Sequence, residues 1–201
     1  MDKILKEGRD VFVQEHFKEL NLSNEKISTK EFDDCTFIGC NFSEATFYRC
    51  KFTECTFKNC NLSMVKVKSS AFFDVVFEES KVIGVNWTEA AWPTIKLSCP
   101  LKFYQCILND SSFMGLSIRE IIMIECKAHD IDLREADCTE ADFGHTDFTN
   151  GLFNKTQLNK ANFREATNYN INIFSNELKQ AKFTLPEATN LLRSLDIEID
   201  D

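Results

Sequence analysis

Basic residues are in short supply in this 201-residue chain: 23 Lys and Arg stand against 32 Asp and Glu, a formal net charge of −9. Phosphate neutralisation needs the opposite surplus, which argues against a nucleic-acid partner. Gly (6) and Pro (3) are scarce as well, and with 43% apolar residues the composition excludes a disordered tail. No run of about 18 apolar residues occurs, so nothing is expected to span a bilayer. Met1 to Val13 interleaves charges with its few apolar residues and lacks the apolar region of a signal peptide. A cytoplasmic location is the expectation. There is no GxGxxG, no P-loop and no HExxH, and the three histidines have no Ser or Cys placed with them as a triad. The expectation is a protein without catalytic residues, cofactor or metal.

What the chain has in excess is Phe (19) and Cys (9), and the Phe positions count in fives. Phe12, Phe17, Phe32, Phe37, Phe42, Phe47, Phe52, Phe57, Phe72 and Phe77 share one register. Leu22, Ile27, Leu62, Val67, Val82, Trp87, Trp92 and Leu97 fill its gaps. After one extra residue the count resumes with Phe103, Leu108, Phe113, Ile118, Met123, Ala128, Leu133, Cys138, Phe143, Phe148, Phe153, Leu158 and Phe163. Only Phe73 and Phe174 lie off both registers when Phe183 is counted with the second.

A period of five is neither the 3.6 of a helix nor the 2 of a strand. Two positions before many centres sits a small residue, such as Cys35, Cys40, Ala45, Cys50, Cys55, Cys60, Ser70, Ser80, Ala136, Ala141 or Ala161. One large and one small side chain therefore point inward in each five residues. A chain turning a corner every five residues closes a square coil of about twenty, which stacks as a parallel β-solenoid. Coils then sit about 4.8 Å apart. The interruption at 93–102, around Pro93, Cys99 and Pro100, reads as a bulge or short loop. In the small slot, Cys serves as an apolar filler rather than as a metal ligand or half of a disulfide.

Runs such as CTFIG-CNFSE-ATFYR-CKFTE-CTFKN-CNLSM (35–64) and ADCTE-ADFGH-TDFTN (136–150) resemble the pentapeptide-repeat family, whose unit reads A(D/N)LXX. The resemblance covers about residues 10–183 and implies an all-β fold, a right-handed quadrilateral parallel β-helix. The domain reading is a β-helix over 1–183, with an N-terminal cap or first coil in 1–20 and the register break near 93–102. A C-terminal helix and tail over 184–201 follow it.

Charge is uneven along this rod: residues 1–100 carry a net −2 and residues 101–201 a net −7. Asp130, Asp132, Glu135, Asp137, Glu140, Asp142 and Asp147 fall within one coil, opposed there only by Arg134, each at an expected outward position. B-DNA carries about three charges in the same 4.8 Å of rise, so this coil matches a duplex locally.

At the C-terminal end, Thr184-Leu185-Pro186-Glu187 reads as a capping box before a helix of about ten residues. Ala188, Leu191, Leu192 and Leu195 lie on its apolar face, and Leu195 to Ile199 alternates like a strand. A solenoid end must be covered, by a lid or by a second chain. The expected contact is a homodimer through Leu191, Leu192, Leu195, Ile197 and Ile199.

VNWTEAAWP (85–93), CILNDSSF (106–113), NYNINIF (168–174) and the tail LPEATNLLRSLDIEI resemble the Qnr-type and albicidin-resistance group of the family. The resemblance implies a dimeric DNA mimic that binds DNA gyrase through its A subunits, and in some members topoisomerase IV, and so counters topoisomerase poisons. The seven acidic residues of the 130–147 coil would carry that contact. The alternative is a pentapeptide-repeat scaffold for an unrelated protein partner.

Overall fold

The structure, a computed structural model, describes residues 8–92 and 101–197. The chain winds as a parallel β-solenoid of about eight turns. Each turn has four walls, named here by their first inward residue: Phe12, Phe17, Leu22 and Ile27. The Phe12 wall begins with strands Val11–Val13, Glu31–Asp33, Lys51–Thr53 and Ala71–Phe73 in one parallel sheet. On the Phe17 wall six strands stack, from His16–Lys18 through Thr36–Ile38, Thr56–Lys58, Val75–Glu78 and Leu101–Tyr104 to Ile122–Ile124. Lys26–Ser28 and Thr46–Tyr48 pair on the Ile27 wall. Single bridges link the Leu22 wall from Asn21 through Asn41, Asn61 and Lys81.

Strands are short because the backbone enters the left-handed region at nearly every described corner. Gln14, Glu19, Asn24, Thr29 and Asp34 have φ between +49° and +60°, and the pattern continues along the rod. That conformation costs a non-glycine residue roughly 1–2 kcal/mol. The offset comes from the core, where burying one Phe stabilises by roughly 1.5–3 kcal/mol. Rings stack coil on coil, with Phe37 and Phe57 centroids 4.6 Å apart and Phe32 and Phe52 centroids 5.0 Å apart. Between walls they meet edge to face, as Phe12 and Phe17 do at 5.7 Å.

The interruption is longer than the sequence count suggests. Phe77 pairs with Phe103, and the Val85 N–H reaches the Ser111 hydroxyl twenty-six residues on, where other coils need twenty. Six residues are added, and counting modulo five registers only one of them. Residues 93–100 themselves lie outside the described residues. Just before them, a 3-10 turn at Trp87–Glu89 is capped by Asn86, and the Trp92 indole donates to the Trp87 carbonyl at 2.8 Å.

The small slot follows a rule beyond size. Some corners close on themselves, the amide three residues on bonding the carbonyl of the inward residue: Ala45 to Phe42, Val65 to Leu62, Ile121 to Ile118 and Ala141 to Cys138. One coil later those carbonyls lie under residues without a donor: Val65, Val85, Ala141 and Ala161. At open corners the next coil supplies a donor instead. Cys35 bonds the Phe12 carbonyl, Cys55 that of Phe32, Cys60 that of Phe37, Ser80 that of Phe57 and Thr146 that of Met123. Val75 above Phe52 and Thr156 above Leu133 depart from the pattern. Cys is therefore a hydrogen-bonding plug as well as a filler. The eight described cysteines are buried, and burial pushes the thiols of Cys55 and Cys126 up to about 12.

The C-terminal segment forms a 3-10 helix, Glu187–Leu195, rather than an α-helix behind a capping box. Thr184 and Glu187 turn to the rod instead of to each other. The Thr184 hydroxyl accepts from the Glu165 N–H at 2.8 Å, and the Glu187 carboxylate accepts from the Asn168 N–H at 2.7 Å. Two amides at the last exposed edge are satisfied this way. The expected strand is absent over its described part, since Leu195 ends the helix and Asp196 is left-handed.

Candidate interaction surface

Residues that are neighbours in sequence part company in space. Asp132, Asp137, Asp142 and Asp147 each precede an inward residue, so they occupy the Ile27, Phe12, Phe17 and Leu22 walls in turn. Asp130, Glu135 and Glu140 are left-handed corner residues between them. The seven carboxylates thus encircle the rod, and no single flat partner can meet them all.

Stacked coils also neutralise much of the ring. Arg134 holds Asp132 at 2.8 Å, Arg119 holds Asp137 at 3.3 Å, Lys160 holds Glu140 at 2.6 Å and Lys155 lies 3.9 Å from Glu135. Asp137 is buried, against the outward position expected of it, because Thr139 and Arg119 close over its carboxyl. Burial works against ionisation of Asp147, but bonds from Asn168, Thr149 and His129 outweigh it and hold the group at about 2. Asp130 and Asp142 have no cation partner among the described residues.

A longer acidic feature runs along the rod. The corner after the Phe12 wall presents Asp34, Glu54 and Asp74, then, beyond the interruption, Glu120 and Glu140. All five are exposed. The amides of Asp34, Glu54, Glu120 and Glu140 bond the coil that follows, as in Glu54 N–H to Phe73 O and Glu120 N–H to Thr139 O, which keeps each run in line. Lys102 pairs with Asp74 and Lys160 with Glu140. Glu54 and Glu120 have no ion pair among the described residues. Within the runs Asp34–Glu54–Asp74 and Glu120–Glu140, one carboxylate per coil is one per about 4.8 Å, against one phosphate per 3.4 Å along a single DNA strand; the coil of Trp92 separates the two runs. Reading the sequence in steps of twenty, not along the chain, brings this column out.

The rod end carries a second surface. Leu191 packs against the core, while Leu192, Leu195 and Ile197 are 37%, 39% and 55% exposed. Ile199 lies outside the described residues. Phe174 and Leu185 are also exposed large apolar residues in this last part of the chain. An open hollow of about 720 Å³ flanks the helix, lined by Asn150, Tyr169, Glu187 and Arg193 among others.

A family profile for the pentapeptide repeat region matches residues 30–99 and 91–163. No curated protein sequence matches the chain. Among solved structures, a trypsin-treated variant of QnrB1, a plasmid-mediated fluoroquinolone resistance protein, is similar with a TM-score of 0.69 and 18% identity. That match covers 94% of this chain and 97% of the other. Full-length QnrB1 is similar with a TM-score of 0.63 and 16% identity, over 93% of this chain and all of the other. HetL of the cyanobacterium Nostoc sp. strain PCC 7120, a pentapeptide repeat protein involved in heterocyst differentiation regulation, gives 0.58 and 17% over 88% of each chain. At such identities the likeness shows the fold. With five-residue counting, square coils and the profile match in agreement, the chain belongs to the pentapeptide repeat family.

Proposed function

We propose that this protein is a non-enzymatic DNA mimic that binds DNA gyrase at the basic surface of its A subunits and counters a topoisomerase poison. The observation that carries the reading is the acidic edge Asp34–Glu54–Asp74–Glu120–Glu140, a line of carboxylates along a rod packed solid with side chains. Such a column draws a basic groove by long-range attraction that fades with salt. The likeness to a fluoroquinolone resistance protein supports the biological direction.

In this reading two chains join through Leu192, Leu195 and Ile197, which doubles the length of the edge. The ring at 130–147 contributes through the members that share a side with the edge, Glu140 first. Adding purified protein to gyrase supercoiling and poison-induced cleavage reactions at low salt tests the proposal. The expected result is a dose-dependent change in both, weakened by added salt. Unchanged supercoiling and unchanged cleavage would leave the scaffold reading, with a partner unrelated to gyrase.

A further inference from the structure

Several cations on this rod are ion-paired: Lys30 with Asp10, Lys58 with Glu78, Lys102 with Asp74, Arg119 with Asp137, Arg134 with Asp132, Lys160 with Glu140. Among the cations without such a pair, four are gathered on a single face. Lys26, Arg49, Lys66 and Lys68 are exposed on the first turns of the Ile27 wall and have no ion pair among the described residues. Tyr48 sits within the group, with Lys26 5.0 Å and Arg49 5.1 Å from its ring centroid. Like charges gathered on one face repel and lower stability. Folding gains only the exposed cation–π contacts of Lys26 and Arg49 with Tyr48, while recognition of an anion would use all four cations.

We propose that this wall docks a short acidic polypeptide segment of a partner protein. The inference goes beyond the gyrase reading and does not rest on it. Spacing supports it: Lys66 and Lys68 flank one inward residue and stand about 6.6 Å apart along the wall, the interval at which an extended segment repeats side chains on one edge. Length supports it too. The same wall turns to Glu89 and Met114 directly after the cluster, so the run of cations ends within the first turns and suits a short ligand better than a long polyanion.

The test is fluorescence anisotropy with a fluorescein-labelled hexaglutamate peptide and, separately, a 20-base-pair DNA duplex at low ionic strength. Wild-type protein is expected to bind the peptide more tightly than the duplex. The variant Lys26→Glu/Arg49→Glu/Lys66→Glu/Lys68→Glu should lose at least tenfold in peptide affinity. Its thermal midpoint should not fall by more than a few degrees, since the cations it removes are unpaired. A control with the same change in net charge, Lys155→Glu/Lys160→Glu/Lys179→Glu/Lys182→Glu, should keep peptide affinity within about threefold. Absent peptide binding, equal loss in both variants, or tighter binding of the duplex would each overturn the proposal.

Discussion

The thiol of Cys55 donates to the carbonyl oxygen of Phe32, one coil before it, at 3.4 Å. The same geometry recurs at most corners that leave their carbonyl open, Phe52 under Val75 excepted, and it gives the small slot a chemical identity as well as a size. Cys55→Ala removes the donor and should cost about 1 kcal/mol, whereas Cys55→Ser, which can still donate, should cost less. At Ala141, above a carbonyl already bonded by the Ile121 amide, Ala141→Ser should gain nothing. Denaturant midpoints of the three variants decide it. Equal stability of Cys55→Ala and wild type would remove the hydrogen-bonding role.

Asp147 ties three successive coils together, bonding His129 in the coil before and Asn168 in the coil after. Its carboxyl sits at about 2 in the folded chain against an ordinary 3.8. The folded state therefore binds this proton less readily than the unfolded one. The stabilisation is complete above about pH 4 and is lost as pH falls towards 2. On the order of 1 kcal/mol is expected after allowance for partial exposure. Urea melts of wild type and Asp147→Asn should differ clearly at pH 6, and the gap should shrink to about a third of that at pH 2.5. A constant gap would contradict the assignment.

Leu192 is 37% exposed on a helix tied to its own rod by Glu187 and Thr184. Because the tether does not use Leu192, Leu192→Asp should leave the fold intact. In sedimentation equilibrium the wild-type chain should have the mass of a dimer and the variant that of a monomer. A wild-type monomer, or a variant of unchanged mass, would take these residues out of the contact.

Much of the fold is legible in the sequence because the inward side chain recurs at a fixed step: Phe12, Phe17 and Leu22 already announce three walls. The step also hides things. Counting by five cannot tell one added residue from six, so the true length of the interruption shows only in the pairing of Phe77 with Phe103. Neighbours along the chain, such as Asp132 and Asp137, land on different walls, while Asp34, Glu54 and Asp74 form one edge from twenty residues apart. Polar residues carry no mark of which way they turn. Asp137 reads as outward but is covered by Arg119 from the coil before, and Thr184 and Glu187 read as a helix cap but serve the rod's last amides.

Displacement of DNA from gyrase tests the acidic edge most directly. With a labelled duplex bound to gyrase, wild-type protein should compete it off at low salt. Glu54→Lys/Asp74→Lys/Glu120→Lys should raise the concentration required by about tenfold or more, and Asp110→Lys/Asp130→Lys/Asp132→Lys, at and beside the opposite corner, by about threefold or less. Failure of the wild-type protein to displace the duplex, or equal loss in the two variants, would contradict a mimic that presents this edge.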